Sequence, residues 1–287
     1  MRTVLIAFAD MHAGNRYGLL NPETILTEYD VEGNPVKDYH PQLTPIQKVY
    51  WEFFTEKIQE IKVFAKKDKV VAVCAGDLAT GNKHPAKLVS AIPDDQIAIA
   101  CANLLPLYTK LNPSAVRIYK GTGAHNFGFG SAELAITRSM KVLFPKTETE
   151  VFDHSLSAVN GMLVDISHHG PSAGIRTWLK GNVARLYLQS LMQDDLNAAK
   201  PPPRLVLRAH VHEDVRVWVE MKGNNHRYES TLVILPPLCY IDDYARQKAQ
   251  SPSRVSYGLY VFEIIDGELA RTHPMVKIVD IRSREAL

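Results

Sequence analysis

Strand-length apolar runs alternate with helix-length amphipathic segments through the first half of this chain, and that order limits the folds open to it more than any other feature. "TVLIAFAD" (3–10), "KVVAVCAGD" (69–77) and "AVRIYKGTG" (115–123) read as strands. Short β-branched runs bounded by turn residues suit a sheet covered on both faces. Residues 44–67, 94–111 and 131–144 carry apolar side chains at helical spacing. Thr44 suits the N-cap of the first helix, with Pro45 in its first turn, and Ser131 suits the N-cap of the third. Pro106 is expected to kink or end the second. A β-α-β-α-β-α order with short connections predicts an α/β fold with a parallel sheet and helices on its faces.

The second half is richer in strands. "GMLVDISHHG" (161–170) and "RLVLRAHVH" (204–212) flank a helix expected near 183–198. The segment 215–287 reads as strand-rich and antiparallel, with Asp266-Gly267 as the turn of a hairpin. Residues 14–43 form a long polar insertion after the first strand, a length more often functional than decorative.

Net charge is +2, with 46% hydrophobic and 22% charged residues. That balance carries no electrostatic signature of a duplex or membrane surface. The apolar start before Asp10 is too short for a membrane span and no other stretch approaches one, so a cytoplasmic location without a membrane partner is expected. Three widely spaced cysteines, Cys74, Cys101 and Cys239, form neither a disulfide framework nor a zinc-ribbon pair.

The metal-capable residues collect at strand ends. The first strand ends with Asp10 and His12, the second with Asp77, and the third leads into His125 and Asn126. Later strands end with His168 and His169, then with His210 and His212. An aspartate after a strand is commonly a turn former, and a lone buried histidine is usually only hydrogen-bonded. Five strands delivering carboxylate or imidazole to one rim is a different matter, because that rim is where α/β sheets bind ligands. Residues i and i+2 of a strand share a face, so His210 and His212 should aim together, whereas His168 and His169 should point to opposite sides. Such a cluster is costly to bury without a cation. Mixed His/Asp ligation suits zinc, manganese or iron, and the ligand count exceeds one tetrahedral ion, which predicts two divalent ions with Asp77 between them.

The ordered set "DMH", "GD", "GAHN", "HHG" and "HVH", spanning residues 10 to 212, resembles the motifs of the calcineurin-like metallophosphoesterase superfamily, with a phage- or prophage-type flavour. The resemblance implies a single domain over 1–287, built as a β-sandwich of two mixed sheets flanked by helices. It implies that Asp10, His12 and His212 hold one ion, that His210 and one of His168 and His169 hold the other, with His169 preferred, and that Asp77 bridges them. His125 would match the histidine that contacts phosphate and assists the leaving group. Two departures stand out: the family asparagine before that histidine is Ala124, leaving Asn126, His125 or water for the second ion, and the glycine before the final pair is Ala209.

The implied activity is hydrolysis of a phosphoester by hydroxide bridging the two ions. A phosphodiesterase or nuclease acting on nucleic acid or nucleotides leads. A phosphomonoesterase and a catalytically weak interaction scaffold are the alternatives. The insertion at 14–43 and the segment 235–258 carry Arg16, Tyr17, Tyr240, Tyr244 and Arg246, residue types able to stack a base or bind phosphate.

Overall fold

A computed structural model describes residues 1–125, 127, 131–174, 179–223, 225–241 and 252–283. Asn126, Tyr244 and Arg246 lie outside the described residues. The elements run β1 (Arg2–Phe8), β2 (Leu26–Tyr29), β3 (Pro35–Tyr39), α1 (Pro45–Ala65), β4 (Lys69–Cys74), α2 (Pro93–Leu111), β5 (Ala115–Tyr119), α3 (Ala132–Leu143), β6 (Glu148–Phe152), β7 (His154–Val159) and β8 (Met162–Ser167). They continue with α4 (Asn182–Asn197), β9 (Leu205–Arg208), β10 (Val215–Gly223), β11 (His226–Ile234), β12 (Arg254–Ile265) and β13 (Glu268–Asp280).

Two mixed sheets result. One has the strand order β13-β12-β1-β4-β5-β6 and the other β10-β11-β9-β8-β7, while β2 and β3 form a separate small hairpin. Alternation along β1 shows how they stack. Val4, Ile6 and Phe8 face a core shared with α1, α2 and α3, whereas Leu5 and Ala7 face a second core shared with Val164, Ile166, Leu205 and Leu207 of the other sheet. A third core packs Ala184, Leu188 and Met192 of α4 on Val206, Val217 and Leu232. The order is therefore helices, sheet, sheet, helix, the α/β sandwich expected.

Local chemistry explains the element boundaries. Thr44 caps α1 in a reciprocal box: its hydroxyl accepts from the Gln47 amide at 3.2 Å, and Gln47 Oε1 accepts from the Thr44 amide at 2.9 Å. The β12–β13 hairpin turns at Asp266 and Gly267, both at positive φ as a tight hairpin requires. Pro106 does not end α2, which runs through it to Leu111. Proline cannot donate to the carbonyl four residues back, and here that carbonyl, on Ala102, accepts from Asn21 Nδ2 at 2.8 Å instead. Asn103 reciprocates, donating to Leu19 O at 2.7 Å and accepting from the Asn21 amide at 2.8 Å. The insertion is thus less polar in effect than in composition. Leu19 and Leu20 are buried at its base, and only the β2–β3 hairpin projects, with β3 exposed throughout.

What positions the site is strand direction. β1, β4 and β5 run parallel in one sheet, and β8, β9 and β11 run parallel in the other. The C-terminal ends of both triplets emerge at one rim.

Candidate metal centre

Each of these strands stops before its chemical residues begin. β1 ends at Phe8, β4 at Cys74 and β9 at Arg208. Beyond them Asp10, His12, Asp77, His210 and His212 all adopt positive φ, between 46° and 72°. Left-handed backbone costs an L-residue about 1–2 kcal/mol, less for Asp and His than for most. Five such residues at one rim mark a place where side-chain direction outweighs backbone comfort. Neighbouring backbone holds the turns: the Asp10 amide donates to Gly76 O, the His12 amide to Asp77 O and the Ala13 amide to Leu78 O, each at 2.8–3.0 Å.

This corrects the strand-alternation argument for the last pair. His210 sits at φ 72° in a three-residue turn closed by the Val211 amide donating to Ala209 O at 2.9 Å. The two imidazoles therefore part. His210 packs against His168 and His169, with ring centroids 5.2 and 4.7 Å away, while His212 packs against His12 at 5.2 Å. The separation follows from the turn, not from a shared strand face.

Asp77 lies between the two sets, and its surroundings have been cleared for it. A Cβ on Gly121 would sit 1.9 Å from Asp77 Oδ1, and one on Gly76 would sit 2.5 Å from His168 Nδ1. Both glycines are therefore required by the side chains they face. The Thr122 amide donates to Asp77 Oδ1 at 2.6 Å, and Asp77 Oδ2 is 3.1 Å from His168 Nε2.

Backbone carbonyls set the imidazole tautomers. His168 Nδ1 lies 2.6 Å from Ala75 O, and His125 Nδ1 lies 2.6 Å from Thr80 O. A carbonyl only accepts, so each Nδ1 carries the proton and each Nε2 is presented towards Asp77, as metal-binding histidines usually are arranged. The expected exclusion of one member of the "HH" pair does not hold. Both follow the end of β8, their rings are 4.9 Å apart, and His168 is the buried one that reaches Asp77, while His169 is exposed beside it.

Charge distribution follows from these contacts. Asp10, Asp77 and His168 offer ligand atoms within 4.8 Å of one another. Without a cation, two neighbouring carboxylates draw protons onto the imidazoles. Burial opposes charge on His168, but its hydrogen bond to Asp77 and the charges of Asp10 and Asp77 push it up to about 9. His212 is likewise raised despite burial, by the nearby Cys239 and Asp10. His12, by contrast, is driven down to about 3 by burial and by His125. Among the described residues of this cluster, Asp10 Oδ1 is buried without a hydrogen-bond partner of good geometry, 3.3 Å from His212 Nε2 and 3.9 Å from His12 Nε2.

The donor atoms fit divalent ions. Metal–ligand bonds of about 2.0–2.1 Å place adjacent donors roughly 3.0–3.4 Å apart. His12 Nε2 and His212 Nε2 are 3.2 Å apart, and His212 Nε2 and Asp10 Oδ1 are 3.3 Å apart. Around Asp77 Oδ2 stand His168 Nε2 at 3.1 Å and His125 Nε2 at 3.7 Å. Four overlapping groups of three could each hold an ion: His12, His212 and Cys239; His168, His169 and His210; His12, Asp77 and His125; Asp10, Asp77 and His168.

Two members of this neighbourhood carried no expectation. Cys239 is buried with Sγ 3.8 Å from His212 Nδ1, brought there by the chain leaving β11; a single cysteine in "PPLCY" gives no signal of it. Thr122 is the other, and only its place directly after the end of β5 could have drawn attention to it. No protein family and no curated protein sequence matches the chain.

Proposed function

We propose that this protein is a metal-dependent phosphoester hydrolase of the calcineurin-like metallophosphoesterase kind, cleaving a phosphodiester in nucleic acid or a nucleotide. One observation carries the reading: Asp77 stands between two sets of donors, with Asp10, His12 and His212 on one side and His168 and His210 on the other. Asp10, His12, Asp77 and His212 would hold one ion, and Asp77, His168 and His210 the other, with His169 alongside. Divalent ions of the zinc, manganese or iron class supply Lewis-acid polarisation of the phosphoryl group and lower the pKa of water.

The chain's own groups do the rest. His125 is partly exposed and is fixed at Nδ1 by Thr80 O, which leaves Nε2 to face a substrate oxygen and, with the ring in its doubly protonated imidazolium form, to pass the Nε2 proton to the leaving group. The close approach of Gly121 and the Thr122 amide on Oδ1 hold the buried Asp77 carboxylate in one orientation. Tyr17 and Tyr240 favour a base-bearing substrate. Their rings lie 6.4 Å apart, joined by the Tyr240 amide donating to Tyr17 O at 2.8 Å, on the loops that also carry His12 and Cys239. Aromatic faces beside a phosphoester site suit stacking of a base. Contributions from both sheets support treating 1–287 as one catalytic domain. Among the described residues no helix is long and apolar enough to cross a membrane.

The test is hydrolysis of bis-p-nitrophenyl phosphate beside p-nitrophenyl phosphate, after chelation and return of manganese, zinc or iron. Metal-restored cleavage of the diester, lost in Asp77→Asn, is the expected result. Preference for the monoester would overturn the substrate class, and no metal-dependent turnover of either would overturn the reading.

A further inference from the structure

We propose that the hydroxyl of Thr122 is the oxygen donor that completes the second ion's site, on the His168 and His210 side of Asp77. The inference rests on the metal-centre reading above and concerns a residue to which the motifs assign no role.

The geometry is specific. Thr122 Oγ1 lies 3.0 Å from His210 Nδ1, 3.3 Å from His168 Nε2 and 3.1 Å from Asp77 Oδ2. His168 Nε2 is itself 3.1 Å from Asp77 Oδ2. Every one of these separations falls in the roughly 3.0–3.4 Å range of neighbouring donors on one ion with bonds near 2.1 Å. A hydroxyl meant only to satisfy Asp77 would need one contact, not three.

The backbone places it there. β5 ends at Tyr119, and Gly121 lets the chain pass against Asp77 where any Cβ would collide. The next residue is Thr122, whose amide donates to Asp77 Oδ1 while its side chain turns to Oδ2. The same residue thus orients the shared carboxylate from the backbone and lends an oxygen from the side chain. Ala124, with a methyl group, offers no side-chain donor atom in this turn, and His125 faces the other side, towards His12 at a centroid distance of 4.7 Å.

The charge count then separates the two sites. One has Asp10 Oδ1, 3.3 Å from His212 Nε2, beside Asp77; the other has Asp77 with the Thr122 hydroxyl 3.1 Å from its Oδ2, a neutral oxygen where the first has a carboxylate. Fewer anionic donors mean weaker binding of a hard divalent ion. The two ions should bind in sequence, the second the more weakly.

Calorimetric titration of chelator-stripped protein with Zn²⁺ or Mn²⁺ tests this, with metal content by elemental analysis and fold by circular dichroism. Wild type should take up two equivalents in two steps. Thr122→Val, which keeps shape and removes the oxygen, should keep the first step and weaken the second at least about tenfold, while Thr122→Ser restores it. Two unaltered steps in Thr122→Val would overturn the proposal, as would loss of the second step in Thr122→Ser with the fold intact. No uptake by wild type would instead overturn the metal-centre reading itself.

Discussion

The pairing of Asp77 with His168 makes a quantitative prediction for the metal-free chain. Both side chains are buried, and Asp77 Oδ2 lies 3.1 Å from His168 Nε2. Against the opposing effect of burial, the Asp77 hydrogen bond and nearby negative charge raise His168 from 6.5 to about 9. A displacement of that size corresponds to about 3 kcal/mol. A raised histidine pKa stabilises fully below 6.5, and that contribution fades as pH climbs through about 9. The same contact lowers Asp77, although burial alone would raise it, so the stabilisation is also lost in strong acid. Asp77→Asn removes the charge while keeping an acceptor for Thr122. With chelator present at pH 6, the variant should be about 1–3 kcal/mol less stable, because Asp10 also raises His168 and stays in place, a fall in Tm of about 2–12 °C for a chain of this size. By pH 10 the gap should close. Thermal unfolding followed by circular dichroism at pH 6, 8 and 10 reads this, with His168→Gln and the double variant completing a thermodynamic cycle. A gap independent of pH, or one that persists undiminished when His168 is already glutamine, would refute the ion pair as its source.

Three further expectations follow from the same geometry. Gly121→Ala forces a Cβ to 1.9 Å from Asp77 Oδ1; turnover should fall at least about a hundredfold with far-UV circular dichroism unchanged, since displacing a reacting group by about 1 Å costs that much, and full activity would contradict the crowding. Manganese, zinc or iron at a hundred times its Kd should stabilise the chain by about 2.7 kcal/mol per ion, reversed by chelator, and a thermal scan insensitive to all three would count against the centre. Arg208 is buried against Asp165 Oδ1 at 2.5 Å and the Tyr187 hydroxyl at 3.0 Å; Arg208→Ala should cost about 3 kcal/mol in denaturant unfolding by removing one partner of a buried pair, Asp165 keeping His154 Nε2 at 3.1 Å, with Arg208→Met/Asp165→Leu recovering much of it.

Much of the framework was legible in residue order. The apolar runs at 3–10, 69–77 and 115–123 became β1, β4 and β5, Thr44 and Pro45 did start α1, and Asp266-Gly267 did turn a hairpin. β6 and β7 were not legible, because half-exposed strands such as "HSLSAV", with burial alternating along the chain, dilute the apolar signal with polar residues. α2 runs through Pro106 for a reason that lies outside its own sequence: the carbonyl left without an amide partner, on Ala102, is satisfied from Asn21, far away in the chain.

The candidate site divides along the same line. The sequence by itself determined which residue types arrive at the rim, because buried strands announce where they end and Asp10, His12, Asp77, His168, His169, His210 and His212 all follow such ends. Only the tertiary structure decided which way they face. Positive-φ turns send His210 and His212 to opposite sides of Asp77, a carbonyl on β4's exit aims His168 inward, and Gly121 brings the Thr122 hydroxyl and Asp77 together. Side-chain direction beyond a strand end depends on backbone torsions set by neighbouring strands, and those neighbours lie up to 200 residues away along the chain.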